Sequence, residues 1–272
     1  MVTPRAFVNA VLDFGTEEQQ RRFLEPLARE EFVPATVALM EGRATFEPSQ
    51  LRTRARKTGD GYRIDGEKRL VPLGASAEQM LVVADLEGEG PAAFVVEQGS
   101  AGLSTEEQSY MGLRALETAS VRLDGVTVPQ ENRLADFDLQ RLVDLGRIGT
   151  CALAVGSCQG VLDYVTPWVK ERKAFGEPIA YRQSVAFMVA NINIELEAMR
   201  LLTWRAASRA QQGLDFHREA YLARVSCAEK AMEIGTNGVQ LMGGHGFIRD
   251  NPVELWYRNL RSVGLLEGTA VV

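Results

Sequence analysis

The feature that most restricts what this chain can fold into is a change of apolar period near residue 137. Beyond it, Gln183 to Gln212 carries Val185, Met188, Val189, Ile192, Leu196, Met199 and Leu202 at the three- and four-residue steps of one helix face. A second helix is expected from Asp138 through Lys173, kinked at Pro167, and a third from about Phe216 to Met242. A glycine break and a shorter helix from Pro252 follow. Long helices joined by short loops imply an antiparallel bundle.

Before residue 137 the pattern is β. Expected strands are Pro34–Leu39, Leu51–Lys57, Tyr62–Asp65, Met80–Asp85, Ala92–Val96 and Thr118–Leu123. Between them stand turn signals: Gly59-Asp60-Gly61, Asp65-Gly66, the Gly88–Pro91 run and Asp124-Gly125. Short strands so spaced point to a small antiparallel barrel or sandwich. Ahead of them, Thr16 and Gln19 form a capping-box pattern. It opens an amphipathic helix over Glu17–Arg29, with Phe23, Leu24, Leu27 and Ala28 inward and Pro26 bending or shortening it. The class is therefore α+β, with a helical segment over 1–30, a β-domain over 31–136 and a helical bundle over 137–272.

Composition narrows the function. With 46% hydrophobic residues in 272, the chain can bury a substantial core. A net charge of −6 gives no basic field for a nucleic-acid backbone or an anionic membrane, and neither is an expected partner. Arg52, Arg54, Arg56 and Lys57 alternate as the solvated face of a strand does. Cys151, Cys158 and Cys227 form no CxxC pair and sit in apolar helical stretches, which fits reduced thiols of a cytoplasmic protein better than disulfides. Two histidines, His217 and His245, are too few for a His-rich metal centre, and no metal is expected. The opening MVTPRAFVNAVLDFGTEE lacks the form of a signal peptide. The most apolar helical stretch, Ile148 to Leu162, is interrupted by Thr150, Ser157 and Gln159 and is shorter than a bilayer span. There is no internal repeat.

Local motifs then carry a resemblance. Glu171-Arg172-Lys173-Ala174-Phe175-Gly176-Glu177-Pro178-Ile179-Ala180, with Gln183 after it, resembles the signature between the first two bundle helices of the flavin-dependent acyl-CoA dehydrogenases. Gln240-Leu241-Met242-Gly243-Gly244-His245-Gly246-Phe247 is similar to that family's QxxGGxG loop, and Glu267-Gly268-Thr269 to its EGT. Met111-Gly112-Leu113-Arg114 through Val126-Thr127-Val128-Pro129 resembles the end of its β-domain. Family members start with a full helical domain and continue with a helix after EGT, so the resemblance leads us to expect only part of that plan here.

The resemblance implies FAD as cofactor, an acyl-CoA or other acyl thioester as substrate, and an acceptor like electron-transfer flavoprotein. It also implies a homo- or hetero-oligomer in which motifs are shared across subunits. Glu267 takes the place of the base that removes the α-proton. Gln240, Gly243 and Gly244 match the loop at the adenine end of a neighbour's FAD. Arg172, Phe175 and Gln183 match its phosphate and ring contacts, and Thr269 belongs to the same cofactor set. Without the resemblance, the glycines are a helix C-cap, Arg172 a solvated charge at a helix end, Phe175 a core aromatic and Glu267 an exposed loop acid.

Three departures stand beside the matches. The family's TEP segment is replaced by Met40-Glu41-Gly42-Arg43, and its W-I-T/S-N stretch, which approaches the flavin ring, by Leu70-Val71-Pro72-Leu73. Pro72 brings neither a hydroxyl nor an amide donor. Asn259 replaces the aspartate usual after the bundle arginine, here Arg258. Some relatives carry the base near the start of the first bundle helix. The equivalent here is Gln140, whose amide cannot accept a proton usefully. Three readings follow: an active dehydrogenase, a non-catalytic subunit that completes a partner's FAD site, or a same-fold flavin oxidase or oxygenase on a non-CoA substrate, in which the base at Glu267 would be expected to change too.

Overall fold

The computed structural model describes residues 3–43, 47, 48 and 50–266. It divides into two units, with the division falling between Gly146 and Arg147; Met111–Leu113 belong with the second.

The first unit opens with α1 (Thr3–Phe14) and α2 (Glu17–Leu24). Thr16 caps α2 in the expected capping box, and Pro26 ends the helix by converting Pro26–Ala28 to a 3₁₀ turn. That α1 is a helix was not expected from the sequence. Its Phe7, Ala10, Val11 and Phe14 are buried at helical spacing.

Seven strands follow: β1 (Ala35–Ala38), β2 (Arg54–Thr58), β3 (Gly61–Pro72), β4 (Gln79–Leu86), β5 (Gly90–Glu97), β6 (Leu103–Glu107) and β7 (Thr118–Pro129). The sheet runs β1-β4-β2-β3-β7-β6, with β5 also on β4. Most neighbours are antiparallel, as expected, but β1 and β2 both pair with β4 in parallel. They use successive parts of one edge, Gln79–Val82 and Asp85–Leu86. Strand β4 is therefore buried on both faces. Leu81 and Val83 join Phe7, Val11 and Phe23 in one cluster, while Met80, Val82 and Ala84 join Ile64, Phe94 and Val121 in another.

Two expected turns are not turns. Asp65-Gly66 lies within β3 and Asp124-Gly125 within β7, where the register shifts between Ile64 and Gly66. A glycine at positive φ serves a bulge as well as a turn, so the dipeptides marked a twist in two long strands. The alternating cations behave as expected on β2: Arg54, Arg56 and Lys57 are exposed around buried Ala55, and Arg54 and Lys57 pair with Asp85 and Glu89.

Among the described residues, Lys68 of β3 and Glu41 form a buried ion pair. Lys68 Nζ donates to Glu41 Oε1 at 3.0 Å and to the Leu39 carbonyl at 3.2 Å. Glu41 also accepts from the backbone N–H groups of Arg52 and Thr53 and from the Thr53 hydroxyl. Burial pushes the Glu41 carboxyl up, but Lys68 and the backbone donors outweigh it and hold it below the ordinary carboxylate value. For Lys68 burial wins over the carboxylate, pushing the ammonium down to about 8.

The bundle comprises α3 (Leu139–Glu171), α4 (Gln183–Gln211), α5 (His217–Met242) and α6 (Val253–Arg261). Pro167 lies inside α3 without ending it. Cys151, Ala154, Cys158, Val161, Val165 and Val169 of α3 pack with Ile192, Leu196 and Met199 of α4 and Ala223, Cys227 and Ile234 of α5. All three cysteines are buried free thiols. At 33 residues α3 exceeds the apolar stretch expected, so length does not set it apart from a bilayer span. What does is that one face of it forms the bundle core while Gln159, Asp163 and Lys170 occupy the other.

Candidate functional site

A cleft of about 740 Å³ opens in the second unit between the α3–α4 connection and the end of α5. Its walls bring together Arg172, Phe175, Gln240, Gly243 and Gly244, which lie up to 72 positions apart in the sequence. Gln183 is exposed at the first turn of α4, beside Ser184, which lines the cleft.

Each wall has a local cause. Past α3 the chain makes a minimal hairpin, β8 (Lys173–Ala174) against β9 (Glu177–Pro178), closed by the two residues Phe175 and Gly176. Both have positive φ, 56° and 89°, as a primed two-residue turn demands. Glycine takes this without strain; phenylalanine does not, and costs roughly 1–2 kcal/mol there. The Phe175 ring is 96% exposed. The core-aromatic reading of Phe175 is therefore wrong: the hairpin turn aims the ring outward. A large apolar ring held exposed in a strained turn is available as a contact surface.

The opposite wall is the end of α5. Gly243 terminates the helix at φ 59° and its N–H bonds to the Gln240 carbonyl; a 3₁₀ turn over Gly243–Phe247 follows. The C-cap reading is thus correct, and it does not exclude a ligand. A Cβ built on Gly243 or Gly244 meets nothing within 4 Å, so these glycines leave open space at the backbone. The turn is braced by its neighbours: the His245 ring lies 4.8 Å from that of Trp168, and Asn251 Nδ2 donates to the His245 carbonyl at 2.9 Å.

The cleft carries positive charge. Arg172 is exposed at the C-terminal end of α3, and Arg182 enters from the start of α4, its guanidinium 5.8 Å from the Phe175 ring and 3.1 Å from Glu177. Exposed guanidinium groups, accessible glycine backbone and an uncovered aromatic ring suit a phosphate-bearing, planar ligand. An FAD adenosine diphosphate moiety has that chemistry, and the residues fit it. Trp168, Arg182 and His245 were missed as wall residues. Trp168 had a signal, four residues before Arg172 on one helix; His245 stood inside the glycine loop without a role.

Other expected positions lie elsewhere. Glu267 and Thr269 are outside the described residues. Gln140, at the alternative base position, donates from Nε2 to Asp144 Oδ2 at 3.1 Å. The substituted Asn259 ties two segments together. Its Oδ1 accepts from the Leu113 N–H at 2.8 Å, while Arg258, paired with Glu254, donates to the Met111 carbonyl at 3.1 Å. An amide oxygen can accept this bond, as a carboxylate can.

On the expected flavin-ring segment, Leu70 and Leu73 have φ of 53° and 54°, both in the left-handed region. Leu73 N–H bonds to the Glu117 carbonyl at 2.7 Å, and the Arg69 N–H bonds to the Met40 carbonyl at 2.9 Å. Pro72 faces Thr118 across β3 and β7. Pro72 itself offers a ring no donor, as the sequence implied.

Comparison with known proteins supplies the family. The model for the acyl-CoA dehydrogenase C-terminal domain matches residues 138–272 and that for its middle domain residues 36–126. The CarC subunit of the caffeyl-CoA reductase–Etf complex of Acetobacterium woodii is 33% identical over 268 residues, covering 95% of this chain and 70% of that protein. A short-chain specific acyl-CoA dehydrogenase of Clostridium acetobutylicum is 33% identical over 270 residues, covering 96% and 71%. Butyryl-CoA dehydrogenase from Megasphaera elsdenii superposes with a TM-score of 0.90 at 30% identity, covering 99% of this chain and 73% of that one.

Proposed function

Because this chain belongs to the acyl-CoA dehydrogenase family, we propose that it introduces an α,β double bond into an acyl-CoA thioester with FAD as cofactor. The observation that carries the cofactor half is the cleft beside Phe175. Arg172 and Arg182 supply charge for a pyrophosphate, Phe175 an apolar face, and Gln240 with the Gly243-Gly244 backbone hydrogen-bonding groups for the adenosine end. FAD, when bound, accepts the hydride that leaves the β-carbon. Glu267 takes the α-proton as a carboxylate, so the two hydrogens leave as proton and hydride and the thioester gains one C=C bond.

The exposed face of α4 supports assembly. Phe187, Ile194, Leu201 and Trp204 are exposed on the side opposite buried Ile192, Leu196, Met199 and Thr203. A helix apolar on both faces is covered on both. The name of the CarC relative supports an electron-transfer flavoprotein as acceptor, and three buried reduced thiols support the cytoplasm as its location.

A second reading has its own observation. Pro72 on the ring segment, set against an open cleft of preserved type, favours a subunit that completes a partner's FAD site while its own ring site is weak. The test is the flavin content of the purified chain and the products formed from a panel of acyl-CoAs with an artificial acceptor. One FAD per chain with enoyl-CoA formation supports the dehydrogenase; flavin acquired only on co-expression with a homologue supports the second reading.

A further inference from the structure

The bundle core holds a group of sulfur atoms that the cleft does not use. Cys151 and Cys158 lie two turns apart on one face of α3, and Cys227 stands on α5; all three are fully buried free thiols in one core cluster. Their surroundings differ. Cys158 is the inert kind, because burial, reinforced by the nearby Cys227, pushes its thiol far up. Cys227 has polar company. The Cys151 thiol hydrogen-bonds to its sulfur, the Thr203 hydroxyl of α4 lies beside it, and Arg224 sits one turn earlier on α5. The Cys151 bond before all, and then Thr203 and Arg224, hold the Cys227 thiol below its ordinary value against the burial that opposes them. Arg224 is itself 2% exposed, and its Nη2 donates to the Leu266 carbonyl at 2.6 Å, which keeps the cation inside the bundle.

A sulfur placed near a cation, with a second thiol already bonded to it, is the arrangement in which a cysteine is first oxidised and then resolved. We propose that Cys227 and Cys151 form a peroxide-responsive pair, with Cys227 the attacking sulfur and Cys151 the resolving one. The Cys227 sulfur attacks one oxygen of hydrogen peroxide, the O–O bond breaks, and the departing hydroxide takes the thiol proton and leaves as water. The Cys151 sulfur then displaces hydroxide from the sulfenic acid, forming the S–S bond and, with its own proton, a second water. Two thiols and one peroxide become one disulfide and two waters, the sulfurs giving up the electron pair that the peroxide gains. Burial selects the oxidant. A sulfur with no exposed surface is reached by a water-sized molecule through brief local openings, and not by a bulky disulfide such as oxidised glutathione. The product fastens α3 to α5.

The test adds hydrogen peroxide to the native chain, counts free thiols after denaturation, and maps unreduced digests by mass spectrometry. Free thiols should fall from three per chain to one, with a single cross-linked pair of peptides joining Cys151 to Cys227. Oxidised glutathione at the same concentration should leave all three free. Cys158→Ala should change neither the yield of the cross-link nor its partners, whereas Cys151→Ala should halt the reaction at a Cys227 sulfenic acid that dimedone traps. Three thiols still titrating after peroxide overturn the proposal, and so does a disulfide that includes Cys158 or a glutathione adduct on Cys227. No dimedone adduct on Cys227 in Cys151→Ala is equally fatal to the assigned roles. Should that variant fail to accumulate, the wild-type peptide map decides alone, since it needs no substitution.

Discussion

Phe175 stands in a strained turn with its ring in water, so its value lies in what it touches rather than in what it packs against. Phe175→Ala should change the melting midpoint little, by less than about 0.5 kcal/mol of stability, as surface truncations do. The flavin-to-protein ratio after gel filtration should fall. Retention of full flavin would mean the ring is not a cofactor contact. Glu41 and Lys68 behave oppositely, being buried and mutually dependent. Glu41→Gln leaves Lys68 without its carboxylate and should cost about 3–5 kcal/mol by denaturant unfolding, while replacing both by apolar residues should recover most of that. The sign with pH follows from the depressed Glu41 carboxyl: its contribution is present above the ordinary carboxylate range and is lost as pH falls through its lower folded value. The acid limb of the stability profile should therefore be shallower in Glu41→Gln than in wild type.

Among the elements, the bundle helices were legible nearly to the residue, because three- and four-residue spacing of apolar side chains records a buried face directly. The sheet was only partly legible. Strand β6, Leu103–Glu107, has exposed Ser104, Thr105, Glu106 and Glu107 and no apolar alternation to betray it. Strands β3 and β7 were foreshortened because Gly66 and Gly125 look like turns until the partner strand shows them to be bulges. The parallel pairing of β1 and β2 with β4 depends on contacts between segments tens of residues apart, which no local pattern encodes. Helix α4 holds information on both faces, and its outward one is testable. Leu201→Glu places a charge amid Ile194 and Trp204 without touching the buried face. It should shift the native mass by light scattering toward a smaller species while far-UV circular dichroism stays unchanged; an unaltered mass would show that this face is not covered by another chain.

For the whole molecule, the candidate site was legible where it is contiguous and obscure where folding assembles it. Arg172, Phe175, Gln240, Gly243 and Gly244 stand in compact motifs, and one cleft collects them. Trp168, Arg182 and His245 reach it only because the α3–α4 hairpin and the end of α5 are neighbours in space, and Arg224 meets Leu266 across 42 positions of sequence. The measurement that bears most directly on the proposed chemistry is single-turnover bleaching of the bound flavin by a saturated short-chain acyl-CoA, in wild type and in Glu267→Gln carrying the same amount of flavin. The wild-type flavin should bleach as the enoyl product forms, and the variant should be slower by about 10²- to 10⁴-fold, the range for loss of a general base. Equal bleaching in the two proteins, or a fully loaded wild type that no acyl-CoA bleaches, would contradict dehydrogenation by Glu267.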